Sequence, residues 1–286
     1  MSNLTWTIGD VRVTRIVELE MASGGTFLMA EATPDAIRRI DWLAPHFAEA
    51  DGRLKMSIHA LVIETPSKRI VVDTCIGNDK PRQIAAWANM QTRFLEDMTA
   101  AGFPPESIDV VLCTHLHVDH VGWNTRLVDG KWVPTFPNAR YLMGKAEFEY
   151  WRDEGDSEVS DAQIFADSVQ PVWDAGLVDL VAPDHQVCAE VRLVPTPGHT
   201  IDHVSVAIAS GGHAAIITGD FVHHPCQMAH TGWASHFDYD KGQSSATRRR
   251  MFEDFARDQT LVIGTHFAAP TAGRVIKDGE AFRFEV

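Results

Sequence analysis

Cysteine is scarce. The 286 residues hold four, at 75, 113, 188 and 226, with no C-x-x-C pair. A chain this long does not need a disulfide framework to build a core. Cys113 and Cys188 fall in apolar, strand-like runs and read as small buried hydrophobes. Cys75 and Cys226 lie near expected site loops, where a thiol could react. No stretch approaches 18 continuous apolar residues, so no spanning helix is expected. The start, Met1-Ser2-Asn3-Leu4-Thr5-Trp6, has neither a basic nor an apolar leader region. Basic charge is also in short supply: 25 Lys and Arg stand against 39 Asp and Glu, a formal charge of −14. That balance argues against a general nucleic-acid binder. The basic clusters, Arg38-Arg39 and Arg248-Arg249-Arg250, are small, and the second is expected to face water on a helix. The G-x-S-x-G motif is missing, so a serine-hydrolase mechanism has no support. Linkers, low-complexity tracts and close repeats are missing too. A globular protein in the cytoplasm is the expectation, away from membrane and nucleic acid.

What the chain does have is T-H-L-H-V-D-H at 114–120, directly after Val110-Val111-Leu112-Cys113. His115, His117, Asp119 and His120 are borderline ligands suited to zinc and its neighbours. Asp119 and His120 are adjacent and cannot share one direction in a helical turn. A plausible geometry places His115 and His117 on one ion, with Asp119 and His120 on another. Three further ligand types follow apolar strands: His199 after Val194, Asp220 after Ile216-Ile217, and His266 after Leu261 to Gly264. Together these make five histidines and two carboxylates, enough for two four- or five-coordinate ions with an aspartate bridge.

The coarse pattern is strands with helices after them. Val11 to Leu19 alternates and is β-branched, as a half-buried strand does. Residues 20–33 read as a loop with the apolar tip Phe27-Leu28-Met29. Helices are expected at 34–50 and 83–99, the second with a stripe from Ile84 to Met98. Met56 to Glu64 and Arg69 to Asp73 read as a hairpin, and Ile108 to Cys113 as a central strand. In the second half, strands are expected at 139–143, 187–194, 203–209, 213–218 and 261–264. Helices are expected at 145–151, 161–175 and 244–258, with a polar stretch at 152–160. A strand pair at 273–284 closes the chain. Two β-rich halves, about 1–135 and 136–286, would form a single domain over 1–286: two sheets face to face with helices outside.

The H-x-H-x-D-H run with His199, Asp220 and His266 resembles the metallo-β-lactamase superfamily, and the resemblance covers nearly the whole chain. It implies an α/β fold, a four-layer αββα sandwich of two mixed sheets. It implies His115, His117 and His199 on one zinc, with Asp119, His120 and His266 on the other and Asp220 bridging. Asp73 matches the family's buried aspartate, which braces the ligand loop. The organisation looks most like the lactonase and organophosphate-hydrolase branch. Lactonases of that branch place a tyrosine soon after the bridging aspartate, whereas this chain has Phe221-Val222-His223-His224.

The expected chemistry is that of a dinuclear metal-dependent hydrolase, in which a metal-bridging hydroxide opens a lactone or cleaves a carboxylic ester. Asp119 would orient the nucleophile and carry a proton, and His223 or His224 would contact the substrate oxygen. His203 is a candidate to orient a ligand. Zinc is the default metal, with Mn, Fe and Co as alternatives. Phe27, Leu28, Met29, Trp87, Trp123, Phe148, Trp151 and Phe267 are candidate walls for an apolar part of a small substrate. The 20–33 tip could equally serve a homodimer contact. Phosphotriester or arylester hydrolysis is the alternative; a β-lactamase or an iron-dependent oxidoreductase of the same fold ranks below it.

Overall fold

A computed structural model describes residues 3–154 and 159–286. The chain forms two compact units. The first is Met1–Glu18 with Ile58–Pro183, and the second is Leu19–Ser57 with Asp184–Val286. The strands are β1 (Thr5–Ile8), β2 (Val11–Ser23), β3 (Leu54–Glu64), β4 (Arg69–Val72), β5 (Val110–Leu112), β6 (Thr125–Val128), β7 (Lys131–Pro134), β8 (Arg140–Gly144), β9 (Val178–Val181), β10 (Val191–Pro195), β11 (Val204–Ser210), β12 (His213–Ile217), β13 (Leu261–Ile263), β14 (Ala272–Asp278) and β15 (Ala281–Glu285). The helices are α1 (Pro34–Arg38), α2 (Phe94–Ala100), α3 (Lys145–Glu154), α4 (Val159–Ser168), α5 (Gln170–Asp174), α6 (Cys226–Ala229) and α7 (Lys241–Asp258). None of the described helices is long and apolar enough to cross a membrane.

The first sheet has the order β1-β2-β3-β4-β5-β8-β9. Its β4, β5, β8 and β9 run parallel, so the chain leaves β4 and β5 at the same edge. β5 is Val-Val-Leu and wholly buried, as a central parallel strand is expected to be. Beside this sheet lies the β6–β7 hairpin, turned by Asp129 and Gly130 at φ 50° and 76°; the type I′ turn needs such values at both positions.

The second sheet has the order β10-β11-β12-β13-β14-β15. It is antiparallel except for the parallel pair β12–β13. β10, β12 and β13 therefore point the same way, and their C-terminal ends share one edge. The turn between β11 and β12 uses Gly211 and Gly212 at φ 57° and 80°. Helix α7 starts where the Asp240 side chain accepts the Gln243 N–H at 2.9 Å. It buries Ser244, Thr247, Arg248, Met251, Phe252 and Phe255, the spacing of one helical face. Phe252 packs against Phe221 and Phe282, in a core that also holds Phe47, Phe267 and Phe284.

Several elements differ from the sequence reading. The expected 34–50 helix stops after Arg38. Pro45 cannot donate within a continuing helix and disfavours the α region for Ala44. Ile37, Ile40, Leu43 and Phe47 are still buried. The expected 83–99 helix begins only at Phe94. Residues 79–92 instead close as a loop, through Asn89 N–H to Lys80 O at 2.7 Å, Asp79 N–H to Met90 O at 3.2 Å, and the Asn78 side chain on Thr92. Ile84, Trp87 and Met90 are only half-buried, so no packed face rewards a helix there. The 161–175 helix is two, α4 and α5. Part of the polar stretch at 152–160 lies outside the described residues. The units also divide the chain elsewhere than at 135: β8 and β9 stay on the first sheet, and 19–57 joins the second unit.

Candidate metal centre

In the first unit, β4 and β5 end side by side and deliver Asp73 and the histidine run to one place. Asp73 has φ 56°, and its carboxylate accepts the Thr114 N–H at 2.8 Å, the Thr114 hydroxyl at 2.9 Å and His120 Nδ1–H at 3.0 Å. The Thr114 hydroxyl has one proton, directed at Asp73. Its oxygen therefore accepts from His115 Nδ1, 3.1 Å away. Buried Glu147 accepts the Leu116 N–H at 3.2 Å and the Trp151 indole N–H at 2.8 Å. Trp151 stands edge-on to His117 at 5.5 Å. The His115 ring lies 4.6 Å from that of His117 and 4.0 Å from that of His120. Asp119 is half-buried, with Oδ1 3.6 Å from His120 Nε2.

In the second unit the shared edge of β10, β12 and β13 carries His199, Asp220 and His266. Gly219, at φ +57°, lets the chain pass so close to His203 that a Cβ there would sit 2.6 Å from His203 Nε2. That nitrogen accepts the Asp220 backbone N–H at 2.7 Å, while Nδ1 donates to Thr196 O at 3.0 Å. His203 thus holds the Asp220 main chain. Asp220 Oδ2 lies 3.1 Å from His266 Nε2, 3.3 Å from His223 Nε2 and 3.6 Å from His199 Nε2. His199 Nδ1 donates to Asp238 Oδ1 at 2.9 Å, and His266 Nδ1 to Ser57 O at 3.1 Å. Burial pushes the Asp238 carboxyl up, but His199, His223 and Arg248 together outweigh it and leave its pKa below the usual range.

His115, His120, His199 and His266 thus share one arrangement: an oxygen acceptor at Nδ1, which fixes the proton there and the lone pair on Nε2. Metal-bound imidazoles are held in this way. At His266 that lone pair faces a carboxylate oxygen at 3.1 Å. A bound cation, like a second ring proton, reconciles two acceptors in such contact. Imidazole nitrogens with carboxylate oxygens form a donor set for a divalent ion, and the residues present fit one.

His223 differs. Its Nδ1 is buried with no hydrogen-bond partner among the described residues, and only Nε2 faces an acceptor. Burial lowers its pKa to about 3, against the pull of Asp220, so the ring is neutral and its proton sits on Nε2. The expectation for His224 is corrected. Its Nε2 donates to Phe47 O at 2.8 Å and its Nδ1 accepts the Cys226 N–H at 3.1 Å. Both nitrogens are committed to backbone, so His224 is a buried strut with no atom to offer a substrate.

Other expectations are corrected too. Cys75 and Cys226 are buried and their thiol pKa values are raised by that burial, the opposite of an activated thiol. Cys188 is half-buried in a turn before β10, with Sγ 3.4 Å from Glu190. Trp123 stacks on Phe94 and donates to Glu18 at 2.6 Å, and Phe148 and Phe267 are buried. Arg248 is fully buried, away from water. Sequence reasoning missed Thr114, Glu147, Ser57 and Asp238 as braces.

The model of the metallo-beta-lactamase superfamily matches residues 55–266. An atrochrysone carboxyl ACP thioesterase of Aspergillus fumigatus is 26% identical over 198 residues, which is 68% of this chain and 50% of that protein. An N-acyl homoserine lactonase of Bacillus cereus is 24% identical over 169 residues, 54% of this chain and 59% of the lactonase. The chain thus spans between half and three-fifths of the length of these curated relatives. The solved structure of AidC, a dizinc quorum-quenching lactonase in complex with a product, superposes with a TM-score of 0.81 at 20% identity, covering 99% of this chain and 97% of that one. By that likeness and the family match, the chain belongs to the metallo-β-lactamase superfamily and has its mixed α/β fold, with two large mixed sheets and helices.

Proposed function

We propose that the chain is a metal-dependent hydrolase that opens a lactone or cleaves a carboxylic ester. His115, His117 and His199 would hold one divalent ion, Asp119, His120 and His266 a second, and Asp220 both. Zinc is the proposed metal. The observation that carries the reading is the common bracing of four histidines at Nδ1, which presents Nε2 lone pairs in both units. Divalent ions bound there would supply a water of lowered pKa and an electrophile for the substrate oxygen.

The chain's own residues do the rest. Asp119, the half-buried carboxylate of the run, orients the attacking water, accepts its proton and passes it to the leaving oxygen. His223 donates from Nε2 to the substrate oxygen as charge grows on it. An acyl substrate is favoured because the thioesterase and lactonase relatives are both named for attack on acyl groups. An apolar portion is favoured because Phe27 and Phe237 are exposed, 5.6 Å apart, in the second unit, with Phe237 next to Asp238.

The test is a hydrolysis panel of acyl-homoserine lactones, simple γ- and δ-lactones, aryl esters, acyl thioesters, phosphotriesters and a chromogenic cephalosporin. The expected result is fastest turnover of a lactone or ester with an apolar acyl group. Fastest turnover of the phosphotriester or the cephalosporin would overturn the lactone or ester assignment.

A further inference from the structure

Arg248 sits in the middle of α7 and is completely buried, an expensive place for a charge. Its guanidinium donates from Nε to Phe221 O at 2.9 Å, from Nη1 to Thr231 O at 2.9 Å and Trp233 O at 3.1 Å, and from Nη2 to the Ser244 hydroxyl at 2.9 Å. Nη2 also lies 3.7 Å from Asp238 Oδ2. That carboxylate is equally buried. Its Oδ2 accepts the Ser235 N–H at 2.9 Å and its Oδ1 faces His199 Nδ1 at 2.9 Å. A buried ion pair is weak evidence for stability, because desolvating both partners offsets most of their attraction. Its position is more informative. One guanidinium ties the 231–238 segment, which braces His199, to Phe221, the residue after Asp220.

We infer that Asp238, clamped by Arg248 and the Ser235 N–H, is the positioning residue for His199: it keeps the ring proton on Nδ1 and aims Nε2. The inference rests on the reading of His199 as a metal ligand. The geometry sets what each substitution does. In Asp238→Asn, the Ser235 N–H and Arg248 still require an acceptor at the Oδ2 position, so the amide oxygen stays there. The amide NH2 then faces His199 Nδ1, two donors oppose each other, and the ring proton is driven to Nε2. Asp238→Glu keeps the charge and both acceptors but displaces them by one methylene.

The test is zinc binding measured against a chromophoric chelator, run as a double-mutant cycle. The proteins are wild type, Asp238→Asn, His199→Ala and the double variant, with thermal unfolding of each metal-free protein alongside. Asp238→Asn is expected to weaken zinc binding about 10- to 100-fold in the wild-type background and less than about 2-fold once His199 is gone. Equal losses in both backgrounds would make Asp238 a general structural residue and overturn the inference, as would no loss in the first. If the Asn variant fails to fold, the cycle is run with Asp238→Glu under the same criterion, with a smaller loss expected in the wild-type background and none without His199. Zinc binding by wild type that survives Asp238→Asn unchanged sinks this inference alone. Wild type that binds no zinc sinks the proposed function with it.

Discussion

The two units assemble the proposed ligand residues in opposite ways. The first takes four from the consecutive positions 115–120, and one carboxylate, Asp73, reaches both His120 and, through Thr114, His115. The second takes its residues from three strand ends between 199 and 266 and gives each histidine its own acceptor, Asp238 for His199 and Ser57 O for His266. A local run can share a brace, because its members are already close along the chain. Residues drawn together by tertiary structure need separate ones. Damage to the shared brace should therefore spread further than damage to a private one.

The largest effect expected in either unit is from Asp220→Ala, which removes the carboxylate that three imidazoles face. Hydrolysis and bound metal should fall together by more than about 100-fold, beyond the range typical of outer partners. Retained metal at full occupancy would separate Asp220 from the site. The next is Asp73→Ala set against Asp238→Ala. The Asp73 variant should lose more metal affinity, since two of the proposed ligand histidines lose their anchor. Its metal-free form should also unfold at a lower temperature than wild type, because the Thr114 N–H and His120 Nδ1–H are left buried at about 1–3 kcal/mol each. Equal losses would break the distinction between shared and private braces.

His223→Phe should lower kcat/KM about 100-fold at unchanged metal content. Metal lost along with activity would make His223 a ligand and not a donor. The last effect concerns His224, which burial holds at a pKa of about 4, below the ordinary 6.5, despite the opposing bond to Phe47. The folded state thus binds fewer protons there than the unfolded state between pH 4 and 6.5. Stability contributed by this ring is complete above pH 6.5 and is lost as pH falls through 4, by about 3 kcal/mol in all. The metal-free His224→Gln variant should lack that increment of acid sensitivity in denaturant titrations. An identical pH dependence in both proteins would contradict the buried-strut assignment.

The same contrast explains what the sequence discloses. The run after β5 and the ligand types after β10, β12 and β13 are legible because an apolar strand followed by a polar, metal-seeking residue is a local pattern. Parallel pairing of β12 with β13, and the return of β10 through β11, then bring those ends to one edge. Braces are another matter. Asp238 and His199 are 39 residues apart, and nothing in either segment announces the other. Arg248 reads as one of three surface arginines because helix periodicity does not say which of them will meet carbonyls. His223 and His224 are adjacent and chemically identical, and only the backbone groups around His224 tell them apart. At 83–93 the apolar spacing suits a helix, but the Asn78 side chain and the 79–92 closure determine the backbone, and no packed face competes with them.

On the proposed reading, both units present imidazole lone pairs to divalent metal. Elemental analysis of protein purified without added metal tests it most directly, alongside His120→Ala and His266→Ala. About two ions per chain are predicted for wild type, with a loss in each variant whichever unit carries the substitution. A metal-free wild type with full hydrolytic activity, or a metal content indifferent to both variants, would contradict it.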